Sequence, residues 1–260
     1  MNELNRISRA LASVAALVAL GACGGGGGDP APSTAPSNAT AEGVYGGTLA
    51  GSTSTGFRLL VLENGQYWAL YGDTVANAFL VDGFIQGTGT SSNGSFTSAD
   101  AKDFGVFPAV SGTVSATYDA QAKTISGTAT SQAGSATFSG GPIPGSTYIY
   151  DSPAALSTIA GAWTLTTLAG ESVSLNVGSN GAFTALIGGN CSATGTVTPR
   201  PSGKNVFNVA MTLGPAPCDL PGQSASGVAL AYPLASGQTQ LIVAVVDGTR
   251  TAGTATFGVR

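Results

Sequence analysis

Apolar and polar residues alternate with a period of two through most of the chain from Gly43 onward. Val114, Ala116 and Tyr118 alternate with Thr113, Ser115 and Thr117. Val173, Leu175 and Val177 alternate with Ser172, Ser174 and Asn176, and Phe207, Val209, Met211 and Leu213 with Asn208, Ala210 and Thr212. Each set places its apolar members on one face of a strand. The runs are short, rich in Val, Thr, Tyr and Phe, and broken by Gly, Asn, Ser and Asp. No amphipathic helix longer than two turns interrupts them. The pattern predicts an all-β chain of the barrel or sandwich kind.

Two hairpins stand in matching places. Asn64-Gly65 separates the runs Phe57–Glu63 and Gln66–Tyr71, and Asn180-Gly181 separates Ser172–Val177 and Ala182–Ile187. Asn-Gly tolerates positive φ at both turn positions, which makes it the strongest short hairpin signal. Gly43-Val44-Tyr45-Gly46 precedes the first hairpin and Gly161-Ala162-Trp163-Thr164 the second. Gly87-Thr88-Gly89-Thr90 follows the first and Thr194-Gly195-Thr196-Val197 the second. The order predicts an internal duplication with Tyr45 equivalent to Trp163.

The units run over residues 43–147 and 159–260. Each has room for about eight strands at the usual spacing. Eight strands close into a small antiparallel barrel whose interior is filled by side chains or holds one small ligand. A two-sheet β-sandwich per unit is the alternative. In the linker, 148–158, Ser152 suits an N-cap and Pro153 a first helical position, so a short helical turn over 153–157 is expected to join the units.

The hairpin formed by Phe57–Glu63 and Gln66–Tyr71 is apolar on both faces, as is Leu241–Val246. A lone barrel would wet one face. Either these strands pack unit against unit, or Tyr67, Trp68 and Tyr71 offer an exposed aromatic binding surface, the candidate recognition site.

Before the first unit lie two segments without a core. Arg6 and Arg9 precede a ten-residue apolar run, Leu11–Leu20. That is half of what a bilayer span needs and fits a secretory signal. The following Leu20-Gly21-Ala22-Cys23 resembles the lipobox of bacterial lipoproteins. The resemblance implies removal of residues 1–22 as a signal peptide and diacylglycerol and acyl (palmitate-type) modification of Cys23. Gly24 and Gly25, with no Asp after the cysteine, imply the outer membrane, on its periplasmic or cell-surface face. Residues 23–42 then form a Gly-, Pro- and Ser-rich tether, with five glycines at 24–28 and Pro30, Pro32 and Pro36.

Gly161-Ala162-Trp163 resembles the G-x-W opening of lipocalins and related calycin barrels; that likeness suggests Arg250 as the arginine that stacks over Trp163. Lipobox, tether and repeated Gly/Thr-rich units together resemble surface lipoproteins with small transferrin-binding-protein-like barrels. The resemblance implies a ligand- or partner-binding protein and assigns no functional residue.

Composition removes several chemistries. The 260 residues include no His, which excludes His-dependent triads and imidazole metal ligands. Loss of residues 1–22 leaves seven cations against twelve acids, net −5. There is no basic footprint for nucleic acid. Cys191 and Cys218 are an even pair in an exported chain, expected as a disulfide. Asp100 and Asp103 share a polar stretch that is short of the oxygens a calcium site wants. Glu63 and Glu171 border hairpins, and no G-x-S-x-G elbow or paired carboxylates at glycosidase spacing appear.

The sequence therefore predicts a non-enzymatic, membrane-anchored binding protein, without cofactor or metal. Its partners would be the bilayer, through acylated Cys23, and a protein or small apolar ligand. A purely structural envelope lipoprotein and a His-independent hydrolase working from Ser, Thr and Asp are the alternatives. A cavity inside either barrel would favour binding, and solid packing the structural role.

Overall fold

The alternating runs form strands that close into two rings in chain order. The structure is a computed structural model that describes residues 39–105, 108–132 and 134–260. The first ring contains β1 (Gly43–Ala50), β2 (Gly56–Val61), β3 (Gln66–Val75), β4 (Ala78–Thr88), β5 (Thr90–Ser92), β6 (Ser95–Asp103), β7 (Val110–Asp119), β8 (Thr124–Ser131) and β9 (Gly134–Gly141). β9 pairs back onto β1, and β4 joins β6 through Ile85 opposite Asp103 and Gln86 opposite Lys102. Short β5 continues β4 beyond Gly89 on the same neighbour, β6, so the ring has eight positions.

The second ring is an up-and-down barrel. It contains β10 (Gly161–Thr167), β11 (Ser172–Val177), β12 (Ala182–Ile187), β13 (Cys191–Pro199), β14 (Phe207–Leu213), β15 (Ser224–Pro233), β16 (Thr239–Asp247) and β17 (Gly253–Val259). β17 returns to β10 at Thr166 opposite Phe257 and closes it. Both units are thus barrels and neither is a sandwich. Closure leaves no free edge on these Val- and Thr-rich strands.

The two barrels repeat at the level of single hydrogen bonds. Tyr45 faces Leu59 in its strand pair and Trp163 faces Leu175. Each aromatic donates to the carbonyl four residues before it, Tyr45 Oη to Ala41 at 2.9 Å and Trp163 Nε1 to Ile159 at 2.7 Å. In the hairpins, Asn64 Oδ1 accepts the Gln66 N–H and Asn180 Oδ1 the Ala182 N–H, both at 3.1 Å. Gly65 and Gly181 stand at φ +79° and +84°, the left-handed region only glycine enters at no cost. One strand further on, Tyr67 lies across Gly87 and Phe183 across Gly195. A Cβ on Gly87 would meet the Tyr67 ring at 2.9 Å, and one on Gly195 the Phe183 ring at 2.7 Å.

The helical turn between the barrels is a single 3₁₀ turn, Leu156–Thr158, placed later than the sequence suggests. Ser152 does not cap it: its hydroxyl donates back to the Ile149 carbonyl. Thr158 instead ties the turn by donating to Ala155 O. The turn leads into Ile159, fully buried at one end of the second barrel.

Doubly apolar strands mark where the barrels meet. Phe57, Leu59 and Val61 point into the first barrel, while Leu60, Leu62, Trp68 and Leu70 point outward. Those outward residues form one cluster with Val228, Leu230, Ile242 and Ala244 of β15 and β16. Burying this face against a second barrel removes from water apolar area that a single barrel would leave wet, at about 25 cal/mol per Å².

Polar groups also cross the seam. Arg200 pairs with Glu63 at 2.9 Å, and Arg250 pairs with Asp100 at 2.7 Å while also donating to the Gln86 carbonyl. Lys102 donates to the Arg250 carbonyl. Arg58, buried on β2, lies over the Phe79 ring of its own barrel at 4.5 Å and reaches Tyr232 of β15 across the seam.

Candidate functional site

Each barrel is hollow. The first encloses a cavity of about 400 Å³ and the second one of about 390 Å³. These fall in the size range of small-molecule sites, about 300–1,000 Å³. The walls are the inward members of the alternating runs: Leu59, Ile85, Phe96 and Ile125 in the first barrel, and Leu165, Val173, Val209 and Val243 in the second. Period-two patterning predicts which side chains point inward. It does not predict whether they meet across the axis.

Both barrels are stoppered at the end where the chain enters. Fully buried Ala41 sits there in the first, and its N–H donates to Ser91 Oγ. Tyr118 Oη donates to the Ala39 carbonyl beside it. Ile159 occupies the same place in the second. There the arginine over Trp163 is Arg260, its guanidinium 4.0 Å from the ring, with donations to the Ala160 and Thr158 carbonyls. Arg250 is not that residue. It sits on the β16–β17 turn, at the opposite end of the barrel, and is taken up by Asp100.

The opposite end of each barrel is the mouth. In the first it is lined by Ser52, Thr53, Thr113, Thr130 and Ser135, with one carboxylate, Asp103. Tyr71 Oη donates to Asp103 Oδ1 at 2.7 Å, and the Gly105 N–H donates to the same oxygen at 2.9 Å. Burial pushes the Tyr71 hydroxyl up, and its bond to Asp103 and that residue's charge push it further. Tyr71 is seated between Gly83 and Gly105, where a Cβ would come within 2.3 and 1.8 Å of its oxygen.

In the second barrel, the mouth carries Glu171, Asn190, Asp219 and Gln223. The Cys191–Cys218 disulfide crosses there, with Cα atoms 4.6 Å apart. It fastens the loop between β14 and β15 to the start of β13. Leu220, 44% exposed, rides on that loop at the rim.

Asp247 lies at the same end and organises the β16–β17 turn. Its carboxylate accepts the N–H groups of Thr249, Thr251 and Ala252 and the hydroxyls of Thr249 and Thr251. Burial pushes the carboxyl up, but these hydrogen bonds outweigh it and hold the group well below the usual carboxylate range. A carboxylate so stabilised is a poor base near neutral pH.

The aromatic hairpin proposed as an exposed surface is not on the surface. Tyr67 and Trp68 are each 1% exposed. With both strand faces apolar, one face fills the barrel and the other the seam. Tyr67 points inward, lines the first cavity and donates to Ser98 Oγ. Burial pushes its hydroxyl up to about 12. Trp68 points the other way and stacks on Phe84 at 5.9 Å in the seam. Tyr71 stands at the first mouth. So Tyr67 and Tyr71 share a cavity, and Trp68 has no part in it.

Other predicted residues separate. Asp100 and Asp103 do not converge: one takes Arg250 and the other Tyr71. Among the described residues no group of three or more His, Cys, Asp or Glu is placed to hold a metal ion. Cys23 lies outside the described residues. The chain's own sequence pattern gave no sign of Asp247, of the two stoppers or of the acid-bearing mouth. Only the run Asp247-Gly-Thr-Arg-Thr251 carried a turn signal.

No family model matches the chain, and no curated protein matches it. Among solved structures it is similar to the isotype 1 transferrin binding protein B of serogroup B Neisseria meningitidis. The identity is 9% and the TM-score 0.25, over 80% of this chain and 59% of that one. The chain thus spans less than two thirds of that structure's length.

Proposed function

We propose that this chain is a lipoprotein of the cell envelope, held to the outer membrane through acylated Cys23, whose two barrels bind small apolar ligands without catalysis. The observation that carries the reading is the pair of hollow, apolar-walled barrels, each stoppered at one end and open at the other. A structural module would gain stability by filling those interiors, since lining atoms of a void lose their contacts. The aromatic hairpin, now part of a core, no longer argues for a protein partner on its outer face. The catalytic alternative has little to work with: the Asp247 carboxylate, with two threonine hydroxyls beside it, is tuned away from base chemistry.

The test is titration with N-phenyl-1-naphthylamine, a neutral apolar dye that fluoresces on leaving water. Two equivalents per chain are expected. Ala69→Trp, filling the first cavity, and Ala185→Trp, filling the second, should each remove one. A dye that stays dark in the folded wild type would leave the structural reading in its place.

A further inference from the structure

We propose that the second barrel selects apolar ligands that carry a positive charge at one end. This rests on the reading of its cavity as a ligand site and adds the chemistry of the ligand's head.

The argument begins with where the cations are. Seven Lys and Arg lie among the described residues, and none lines either cavity. Arg58, Lys102, Arg200 and Arg250 are used at the seam. Lys123 and Lys204 pair with Asp151, and Arg260 covers Trp163 at the stoppered end. An anionic head group entering either mouth would find no counter-charge.

The two mouths then differ in their acids. The carboxylate at the first mouth, Asp103, is engaged by Tyr71 and the Gly105 N–H, and the other polar side chains of that rim are hydroxyls. At the second mouth Asp247 is likewise consumed by its own turn. Glu171 and Asp219 are not. Both are exposed, both line the cavity entrance, and neither carboxylate enters an ion pair or side-chain hydrogen bond among the described residues. They come from different elements, Glu171 from the turn before β11 and Asp219 from the loop before β15. The disulfide fixes the second of these to the barrel wall through the neighbouring Cys218.

An apolar shaft ending in unpaired negative charges complements an amphipathic cation. The chain enters with its head group left at the wet rim, where attraction to each carboxylate is modest and screened by salt. The same charges repel a fatty acid of equal length.

Three probes with one twelve-carbon chain separate the cases: dodecyltrimethylammonium and laurate, each below its micelle threshold, and dodecanol, below its solubility limit. They are titrated as competitors of the dye against the chain bearing Cys23→Ser, so that no acyl group competes. The ammonium is expected to bind about three- to tenfold tighter than dodecanol, and laurate weaker than both, with the gap closing at high salt. The E171Q/D219N variant should lose the ammonium preference and keep the dodecanol affinity. Its melting temperature should not move, because both side chains are exposed. Laurate binding as tightly as the ammonium, or a preference that survives in the double variant, overturns the proposal while leaving the cavity a ligand site. If dodecanol itself fails to bind, the cavity reading falls and this one with it.

Discussion

The Gln240 side chain completes the backbone hydrogen bonding of Phe79, 161 positions away in sequence. Its Nε2 donates to the Phe79 carbonyl at 2.7 Å and its Oε1 accepts the Phe79 N–H at 2.9 Å. The same oxygen accepts from Tyr232 Oη at 2.8 Å. Gln240 is 0% exposed. An amide from the second barrel thus stands in for a strand neighbour of the first. The pairing fixes the relative placement of the two barrels with directional bonds, where apolar packing alone would tolerate sliding.

Gln240→Met should therefore cost more than its loss of polarity suggests. It keeps the length of the side chain but leaves a buried N–H and a buried carbonyl unpaired, at about 1–3 kcal/mol each. A loss of about 3 kcal/mol or more in urea-derived stability is expected. A loss under about 1 kcal/mol would mean that water or a shifted strand replaces the amide.

Trp68 offers a graded test of the seam. Trp68→Ala should cost about 3–5 kcal/mol, the usual range for emptying a large aromatic site in a core. Trp68→Phe should cost clearly less, because Nε1 has no hydrogen-bond partner among the described residues and only ring volume is lost. Dye binding should survive in both variants, since Trp68 faces away from the cavities. Unchanged stability of Trp68→Ala with lost dye binding would reverse the assignment of that side chain.

Much of this fold was legible in local pattern. Alternation placed Val173, Leu175 and Val177 inward, and Asn64-Gly65 and Asn180-Gly181 fixed two registers, because side-chain period and turn geometry are local properties. The doubly apolar strands Phe57–Val61 and Leu241–Val246 announced a second buried face. What faced them was not legible, so the same pattern allowed an exposed Tyr67-Trp68-Tyr71 patch. The cavities were hidden for a related reason: inward-facing residues are the same residues whether or not they touch across the axis. Arg260 over Trp163 depended on how the last strand closes the barrel, a long-range fact that no spacing along the chain encodes.

Linking Cys191 to Cys218 encloses the β13–β14 hairpin and its proline-rich exit loop. In the loop-entropy model a closure of this length is worth roughly 3.5 kcal/mol. The C191S/C218S variant should lose stability of that order. It should also show faster amide exchange in residues 214–223 than in β13 or β14, because the strands keep their ladder and the loop loses its fastening. Equal exchange across all three segments would place the loop's order in its own hydrogen bonds, such as Gly222 N–H to Gly214 O.

The anchor is tested separately. Cys23→Ser should abolish acylation and release the protein from the membrane fraction. Mass spectrometry of the mature wild type should show a diacylglyceryl thioether on Cys23, and an unmodified thiol there would end the lipoprotein reading.

Acid stability should report on Asp247. Its carboxyl is held well below its ordinary value, so the folded state favours the ionised form. A depressed carboxyl contributes stability that is complete above the unfolded-state pKa, about 3.9, and is lost as pH falls from there toward the folded value. The urea midpoint should therefore be insensitive to this group from neutrality down to about pH 5 and decline below about pH 4. Asp247→Asn keeps the size of the side chain but removes the charge that the three N–H groups and two hydroxyls serve. At pH 7 it should be less stable than wild type by about 2 kcal/mol, the scale of hydrogen bonds to a charged group. The gap should narrow as wild type is acidified, because protonation then does to Asp247 what the substitution has done already. Other acids, Asp151 beside Lys204 among them, add to the acid loss in both proteins alike. Two stability curves that stay parallel from pH 7 to pH 3 would show that the turn holds without the charge.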